Sequence, residues 1–200
     1  QWRKAQSLHT QALTLRRELD DVDGVAQSLL NLAVVALAQR DTAQAEAALA
    51  EGLALTRQHQ QRAREAKFLT NLSWAQRQRG EFETALATAE SSLAVAQAIE
   101  QQQSIGEALV QAGLACAALG DWAAAEEALQ AARGIWQARE QTHLLMETQA
   151  HLAQAALAQE RPQQAKELLA PVLAHLDKSM DGLEDTAVTL RICADVLAAT

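Results

Sequence analysis

An internal repeat of about 40 residues constrains this chain more than any other feature of its sequence. The tripeptide Asn31-Leu32-Ala33 recurs in related form at positions 71, 111 and 151. Repeats of this length are typical of helical solenoids, in which each unit is one supersecondary motif stacked on the next. The register holds along the chain without a gap, so we interpret the chain as a helical repeat array.

Two helices account for each unit. The first is predicted from Val25 to Ala38, where apolar residues recur at helical spacing, and a turn at Arg40-Asp41 separates it from the second. In later units Gly80 and Gly120 occupy this turn, where a left-handed residue commonly ends a helix. The acidic residue after each of these glycines is suited to cap the next helix. Pro171 falls mid-helix, which predicts a kink or a break there.

The repeat divides the chain into four full units with half a unit at each end. The predicted boundaries are 1–21 (a second helix only), 22–61, 62–101, 102–141, 142–181 and 182–200 (a first helix only). A lone repeat helix cannot bury its apolar face without neighbours. We therefore expect the chain to be part of a longer array, with ends that could also support end-to-end self-association.

Composition favours an all-α fold. Hydrophobic residues make up 49% of the sequence, and most of them are Ala and Leu, which are good helix formers. Only 2 Pro and 8 Gly interrupt the chain, too few for the frequent turns of a sheet protein. The formal net charge of −8 disfavours a nucleic-acid partner, because a phosphate backbone would be repelled.

Residues suited to catalysis are sparse. The sequence contains no glycine-rich phosphate-binding motif and no nucleophile elbow, and its five His are scattered. We therefore expect no enzymatic activity, no metal and no cofactor.

No apolar run approaches the roughly 20 residues of a membrane span. Cys116 and Cys193 do not make a disulfide framework, which favours a reducing, cytoplasmic location.

The pattern around the turn resembles the tetratricopeptide (TPR) repeat family. A bulky residue, a Leu and a small residue precede the turn and a small residue follows it, as in Leu69, Leu72, Ser73 and Ala85. The units are longer than the usual length of the family, roughly 34 residues, and they lack its closing proline. In this they resemble the long repeats of Pins/LGN, kinesin light chain, Rap and MalT-like proteins.

This resemblance implies a right-handed superhelical solenoid of antiparallel helix pairs. It also implies a scaffold that binds a protein or peptide in a concave groove and belongs to a larger regulatory or signalling protein. The alternative is a structural or regulatory spacer that mediates self-association or relays a state within a multidomain regulator.

In TPR proteins the first helices line the groove, and the resemblance assigns four positions of each first helix to it. The residues at these positions are Gln27, Leu30, Val34, Leu37, Lys67, Thr70, Trp74, Arg77, Glu107, Val110, Leu114, Ala117, Glu147, Ala150, Gln154, Leu157, Ala187, Leu190, Ala194 and Leu197. Trp and Arg often dominate interface energies, so Trp74 beside Arg77 is the sharpest feature. The basic pair Lys67 and Arg77 favours an acidic partner segment. Packing of these side chains between repeats is the alternative.

A polar column accompanies the groove, formed by Asn31, Asn71, Gln111, His151 and Arg191. Kinesin-light-chain-like repeats have an asparagine ladder of this kind that bonds the backbone of a ligand, and an amide can pair with both N–H and C=O. The alternative is that these side chains cap or bridge neighbouring helices. The resulting candidate site comprises Asn31, Val34, Lys67, Asn71, Trp74, Arg77, Gln111, Leu114, His151 and Gln154.

Overall fold

A computed structural model describes residues 2–177 and 186–199, and every regular element in these ranges is an α-helix. The helices are α1 (Trp2–Glu18), α2 (Val22–Ala38), α3 (Thr42–Gln58), α4 (Arg62–Gln78), α5 (Phe82–Ala98), α6 (Gln102–Ala118), α7 (Trp122–Ala138), α8 (Thr142–Ala158), α9 (Pro162–Leu176) and α10 (Thr186–Ala199). The predicted all-α helical-repeat fold is confirmed. Helix α2 begins earlier than predicted, because Asp21 caps it.

Residues 1–111 form one compact unit and residues 112–200 form another. In the first unit each helix packs against the next, from α1 to α5, and α2 also contacts α4. Its core contains Leu29, Leu49 and Phe68. In the second unit α8 packs between α7 and α9, and α10 contacts α8 and α9. Leu169 and Val196 are fully buried in the core of that unit.

A left-handed residue follows each of the first eight helices, at a constant spacing along the chain. These residues are Asp20, Arg40, Gln60, Gly80, Glu100, Gly120, Glu140 and Glu160. The next amide returns to the helix that has just ended, as in Asp41 N to Ala36 O at 2.9 Å. This is the Schellman arrangement, which satisfies carbonyls at a helix C-terminus. The predicted left-handed role of Gly80 and Gly120 is confirmed by φ values of 82° and 84°.

Helix N-termini are capped less regularly. Asp21, Asp41 and Asp121 each accept a hydrogen bond from the backbone N–H three residues later. The capping prediction is therefore confirmed for Asp121. It is wrong for Glu81, whose longer side chain makes no cap bond and pairs with Arg79 at 2.9 Å.

The predicted break at Pro171 is wrong, because α9 continues through it. Pro171 is exposed, as is Glu167, whose carbonyl loses its intrahelical donor. Water can hydrate that carbonyl, so the helix tolerates the missing N–H.

A buried ionic contact fixes the start of α4. Glu65 is only 4% exposed, and its carboxylate lies 2.9 Å from Arg57 Nε and 2.6 Å from Arg62 Nη1. A buried carboxylate is stable only when it is paired and hydrogen-bonded. The contact ties the first turn of α4 to the end of α3, and it thereby orients the residues that follow Glu65.

In the second unit, Glu126 links α7 to the turn before α9. Its hydrogen bond with Arg161 holds the pKa of this carboxyl below its ordinary value, against the opposing effect of burial. Gln159 also donates to Glu126, at 3.0 Å. The lowered pKa shows that the fold stabilises the charged form of Glu126.

Small residues stand where helices cross closely. Ser73 is fully buried and its hydroxyl donates to Ala85 O at 2.7 Å. A Cβ on Gly52 would lie 2.1 Å from Cε1 of the buried Phe68 ring. Gly52 is therefore required by the ring that occupies the space of its missing side chain.

We expect Glu100→Gly to raise the free energy of unfolding by about 0.5–1 kcal/mol, because glycine adopts the left-handed conformation without the strain of a Cβ. The matched control is Glu90→Gly, which makes the same chemical change inside α5. It should lower stability by about 1 kcal/mol. Urea denaturation measures both, and changes of the same sign would contradict the prediction.

We expect Gly52→Ala to destabilise the chain by about 1–3 kcal/mol, since the new methyl group overlaps Phe68. Gly134 also lies inside a helix, but a Cβ there would meet nothing within 4 Å. Gly134→Ala should therefore stabilise by about 0.5–1 kcal/mol through helix propensity. Thermal unfolding of both variants tests this, and equal melting temperatures for the two would count against it.

Candidate functional site

The candidate residues divide between the two units. Seven lie in the first unit, namely Asn31, Val34, Lys67, Asn71, Trp74, Arg77 and Gln111, and three lie in the second, namely Leu114, His151 and Gln154. Because α2 and α4 contact each other, the first six of these residues share neighbouring helices. The face of α2 and α4 is therefore the part of the candidate site that the fold brings together.

The candidate residues on this face include both exposed and half-buried side chains. Val34 on α2 and Lys67 on α4 are exposed. Trp74 and Arg77 are half-buried, and Trp74 packs against the core of the first unit. Trp74 is thus anchored in the core on one side while part of its indole stays accessible.

Three residues assigned to the groove do not line it. Leu37 and Ala150 are each 1% exposed and belong to the cores of their units. Thr70 is also buried, and its hydroxyl donates to Ala66 O at 3.1 Å and lies 2.8 Å from Ser92 Oγ. For these residues the packing alternative is correct, since their side chains are buried in a core or, for Thr70, against a neighbouring helix. The side chain of Ala187 lies outside the described residues.

The asparagines of the polar column bond within their own helices. Gln27 Nε2 donates to Asn31 Oδ1 at 2.9 Å, and Asn71 Nδ2 donates to Lys67 O at 2.9 Å. These bonds do not bridge helices. They orient each amide and leave Asn31 its NH₂ group and Asn71 its oxygen for a further bond. Both side chains are half-buried, so they are held in place yet remain reachable.

Gln111 continues the column on α6. Its Oε1 is buried and has no hydrogen-bond partner among the described residues. A buried polar atom without a partner costs about 1–3 kcal/mol. His151 is half-buried and Arg191 is exposed, each in the second unit.

A cleft of about 230 Å³ opens between α2 and α4 beside this column. It is lined by Ala26, Gln27, Leu30, Ala63, Arg64, Lys67, Phe68 and Gln101. Gln27, Leu30 and Lys67 were assigned to the groove from the sequence, whereas Ala26, Ala63, Arg64, Phe68 and Gln101 were missed. Phe68 carried a signal, because the corresponding first-helix positions hold the smaller Ser28, Ala108, Thr148 and Val188.

The charges around the cleft are not equivalent. Arg64 donates to Asp23 O and lies 3.6 Å from the Asp23 carboxylate, which compensates its charge. Lys67 is exposed, and within the described ranges no carboxylate lies close enough to pair with it. Lys67 thus contributes an uncompensated positive charge at the edge of a cleft whose floor is apolar and whose rim is polar.

A second cleft, of about 410 Å³, lies elsewhere in the first unit, where Val22, Val25 and Leu55 form its apolar part and Arg17 pairs with Glu51 at its edge. None of the candidate residues lines it.

Across the described residues, no group of three or more His, Cys, Asp or Glu side chains could hold a metal ion. The helices in the same ranges are all too short or too polar to cross a membrane.

No protein-family model matches the chain, and no curated protein sequence does. Solved structures do match. BtubC (BKLC) from P. vanneervenii superposes with a TM-score of 0.80 at 14% identity, over 99% of this chain and 84% of that one. The apo form of RapI superposes with a TM-score of 0.74 at 16% identity, over 99% of this chain and 58% of that one.

A putative kinesin light chain from Podosopora anserina, described as having nearly identical TPR-like repeats, gives a TM-score of 0.65 at 20% identity, with 91% of this chain and 90% of that one covered. At these identities the likeness establishes the fold. The chain therefore has the TPR-like helical-repeat architecture, and it spans little more than half the length of RapI.

Proposed function

We propose that this chain is a protein- or peptide-binding scaffold whose binding surface includes the face of α2 and α4. The observation that carries the proposal is that the half-buried Trp74 shares the face of α2 and α4 with two oriented amides, those of Asn31 and Asn71. A Trp anchored on one side loses little freedom on binding and offers a large contact area. A Rap protein with 16% identity to this chain has been solved in complex with competence and sporulation factor, so a related fold holds a partner.

The partner that fits this face is an extended segment with acidic residues. The available NH₂ of Asn31 and the available oxygen of Asn71 complement the C=O and N–H groups of an extended backbone. Lys67 and Arg77 supply positive charge on a chain whose formal net charge is −8. That net charge argues against a nucleic-acid partner, and we propose no membrane partner.

We extend the proposal to the setting of the chain, a larger regulatory or signalling protein of the cytoplasm, and we assign it no catalytic role. Cys116 and Cys193 are both buried thiols, which fits a reducing compartment. The groove residues of the second unit, Leu114, His151 and Gln154, are proposed as contacts of a binding surface of that unit.

We expect Trp74→Ala to weaken binding of a selected peptide by about 2 kcal/mol or more, as loss of an interface hot spot does. Peptides would be selected on the wild type from a random display library and measured by calorimetry. Trp122→Ala, which removes another half-buried Trp from the second unit, is the matched control and should bind nearly as tightly as the wild type. An unchanged affinity in folded Trp74→Ala would overturn the assignment.

The second candidate function is a spacer that self-associates through its ends. Leu8 and Leu15 of α1 are 55% and 58% exposed and lie seven residues apart on one face of the helix, and Leu19, in the turn that follows, is 77% exposed. Such apolar patches usually mark interaction sites. On α10, Leu190 and Leu197 are also exposed.

Asp195 is the reason for placing this function second. It is exposed on α10 at the position where the other first helices bury Val35, Ala75, Ala115 and Ala155. Covering α10 in the same way would bury a carboxylate, which is costly unless it gains a partner.

If the ends associate, the sedimentation coefficient of the wild type should rise with concentration, and Leu15→Glu with Leu19→Glu should abolish the rise, because a charge in the contact must be desolvated. The triple variant Asn31→Ala, Asn71→Ala, Trp74→Ala should leave it unchanged. A wild type that stays monomeric at all concentrations would eliminate end-to-end association.

A further inference from the structure

We propose that the cleft between α2 and α4 receives one apolar side chain of the bound segment, and that Lys67 pairs with a carboxylate adjacent to that side chain. This inference rests on the proposed function and specifies the chemistry of the partner at one position.

The floor of the cleft is formed by closely packed apolar residues of the core. Ala26 and Phe68 are each 1% exposed, and Leu30 packs against the same core. The cleft volume of about 230 Å³ is below the roughly 300–1,000 Å³ of sites for free small molecules. A single side chain presented by a longer segment therefore fits it better than a metabolite.

The position of the Phe68 ring is set from behind by Gly52. A Cβ at residue 52 would overlap the ring at both Cε1 and Cζ, at 2.1 and 2.2 Å. The ring therefore packs directly against the backbone of α3, which holds it in place beneath the cleft. A cleft with a packed wall is pre-formed, so binding requires little ordering of the protein.

The rim of the cleft determines what may flank the apolar side chain. Arg64 is already compensated by Asp23, whereas Lys67 has no such partner in the described ranges. An ammonium at the edge of an apolar site attracts a carboxylate more strongly than one fully in water, since the local dielectric is lower. An acidic neighbour is thereby preferred over a neutral or basic one.

Gln27 connects the cleft to the polar column. It lines the cleft and donates to Asn31 Oδ1 at 2.9 Å. A segment whose backbone bonds to the Asn31 amide can therefore place a nearby side chain in the cleft. Trp74 lies two helical turns beyond Lys67, roughly 10 Å along α4, where it can contact a more distant part of the same segment.

The test is a positional-scanning library of short peptides, bound to the wild type and to two single variants. Ala63→Leu places a larger side chain in the cleft from an exposed position, and Lys67→Glu reverses the charge at its edge. The matched controls are Ala87→Leu and Lys166→Glu, which make the same changes at exposed positions that do not line the cleft.

The wild type should select an apolar residue next to Asp or Glu. Ala63→Leu should lose the preference for a large apolar residue, and Lys67→Glu should weaken the best acidic peptide about tenfold or more and favour Lys or Arg instead. Both control variants should keep the selection of the wild type.

Two negative results are distinguishable. If peptides bind and depend on Trp74, but Ala63→Leu and Lys67→Glu select the same sequences as the wild type, this inference is wrong and the proposed function stands. If the wild type retains no peptide more strongly than the variant lacking Asn31, Asn71 and Trp74, the proposed function fails, and the cleft proposal fails with it.

Discussion

The backbone at the helix ends is the constraint on which the rest of the structure depends. Left-handed residues at a constant spacing close each of the first eight helices, so those helices are equal in length and each is followed by the same short reversal. Six of the eight are not glycine, and each of these six stores some strain in an otherwise regular fold. The left-handed residues are needed despite this strain, because the same turn after each helix keeps the same face of successive first helices in register.

Once the turns fix this register, the size of the side chains at the helix crossings decides the local shape. Most crossings use Ala or Ser, as Ser73 does when it bonds to Ala85 O. Between α3 and α4 the pair is instead Gly52 and Phe68, the smallest residue against a large ring. The ring reaches α3 and forms the wall of a cleft on the α2 side, so one change in a repeated contact produces a local feature that regular repeats would lack.

The sequence was sufficient to predict the repeat, the helix pairs and the turns at Gly80 and Gly120, because all of these follow the period. Groove membership was predicted less well, since Thr70 sits on the expected helix face but contacts Ser92, and a repeat pattern does not show such distant contacts. The cleft was not predicted, because its lining comes from three separate places in the sequence. Phe68 could have revealed it, since it interrupts a column of the smaller residues Ser, Ala, Thr and Val. A residue that departs from the repeat pattern is therefore more informative about function than a residue that follows it. Packing alone explains the residues that follow the pattern.

Local charge, more than net charge, governs what this face can bind. A formal net charge of −8 would repel an acidic partner at long range, but screening reduces that effect beyond about 8 Å at physiological ionic strength. Within that distance, an acidic segment bound over α4 is attracted by the ammonium of Lys67. The negative charge of Asp23 does not oppose this attraction, because it is already paired with Arg64. Attraction is therefore short-ranged and confined to a segment that already contacts the face. Specificity then arises where the apolar cleft and the uncompensated ammonium of Lys67 coincide, because neither feature alone distinguishes one peptide from many others.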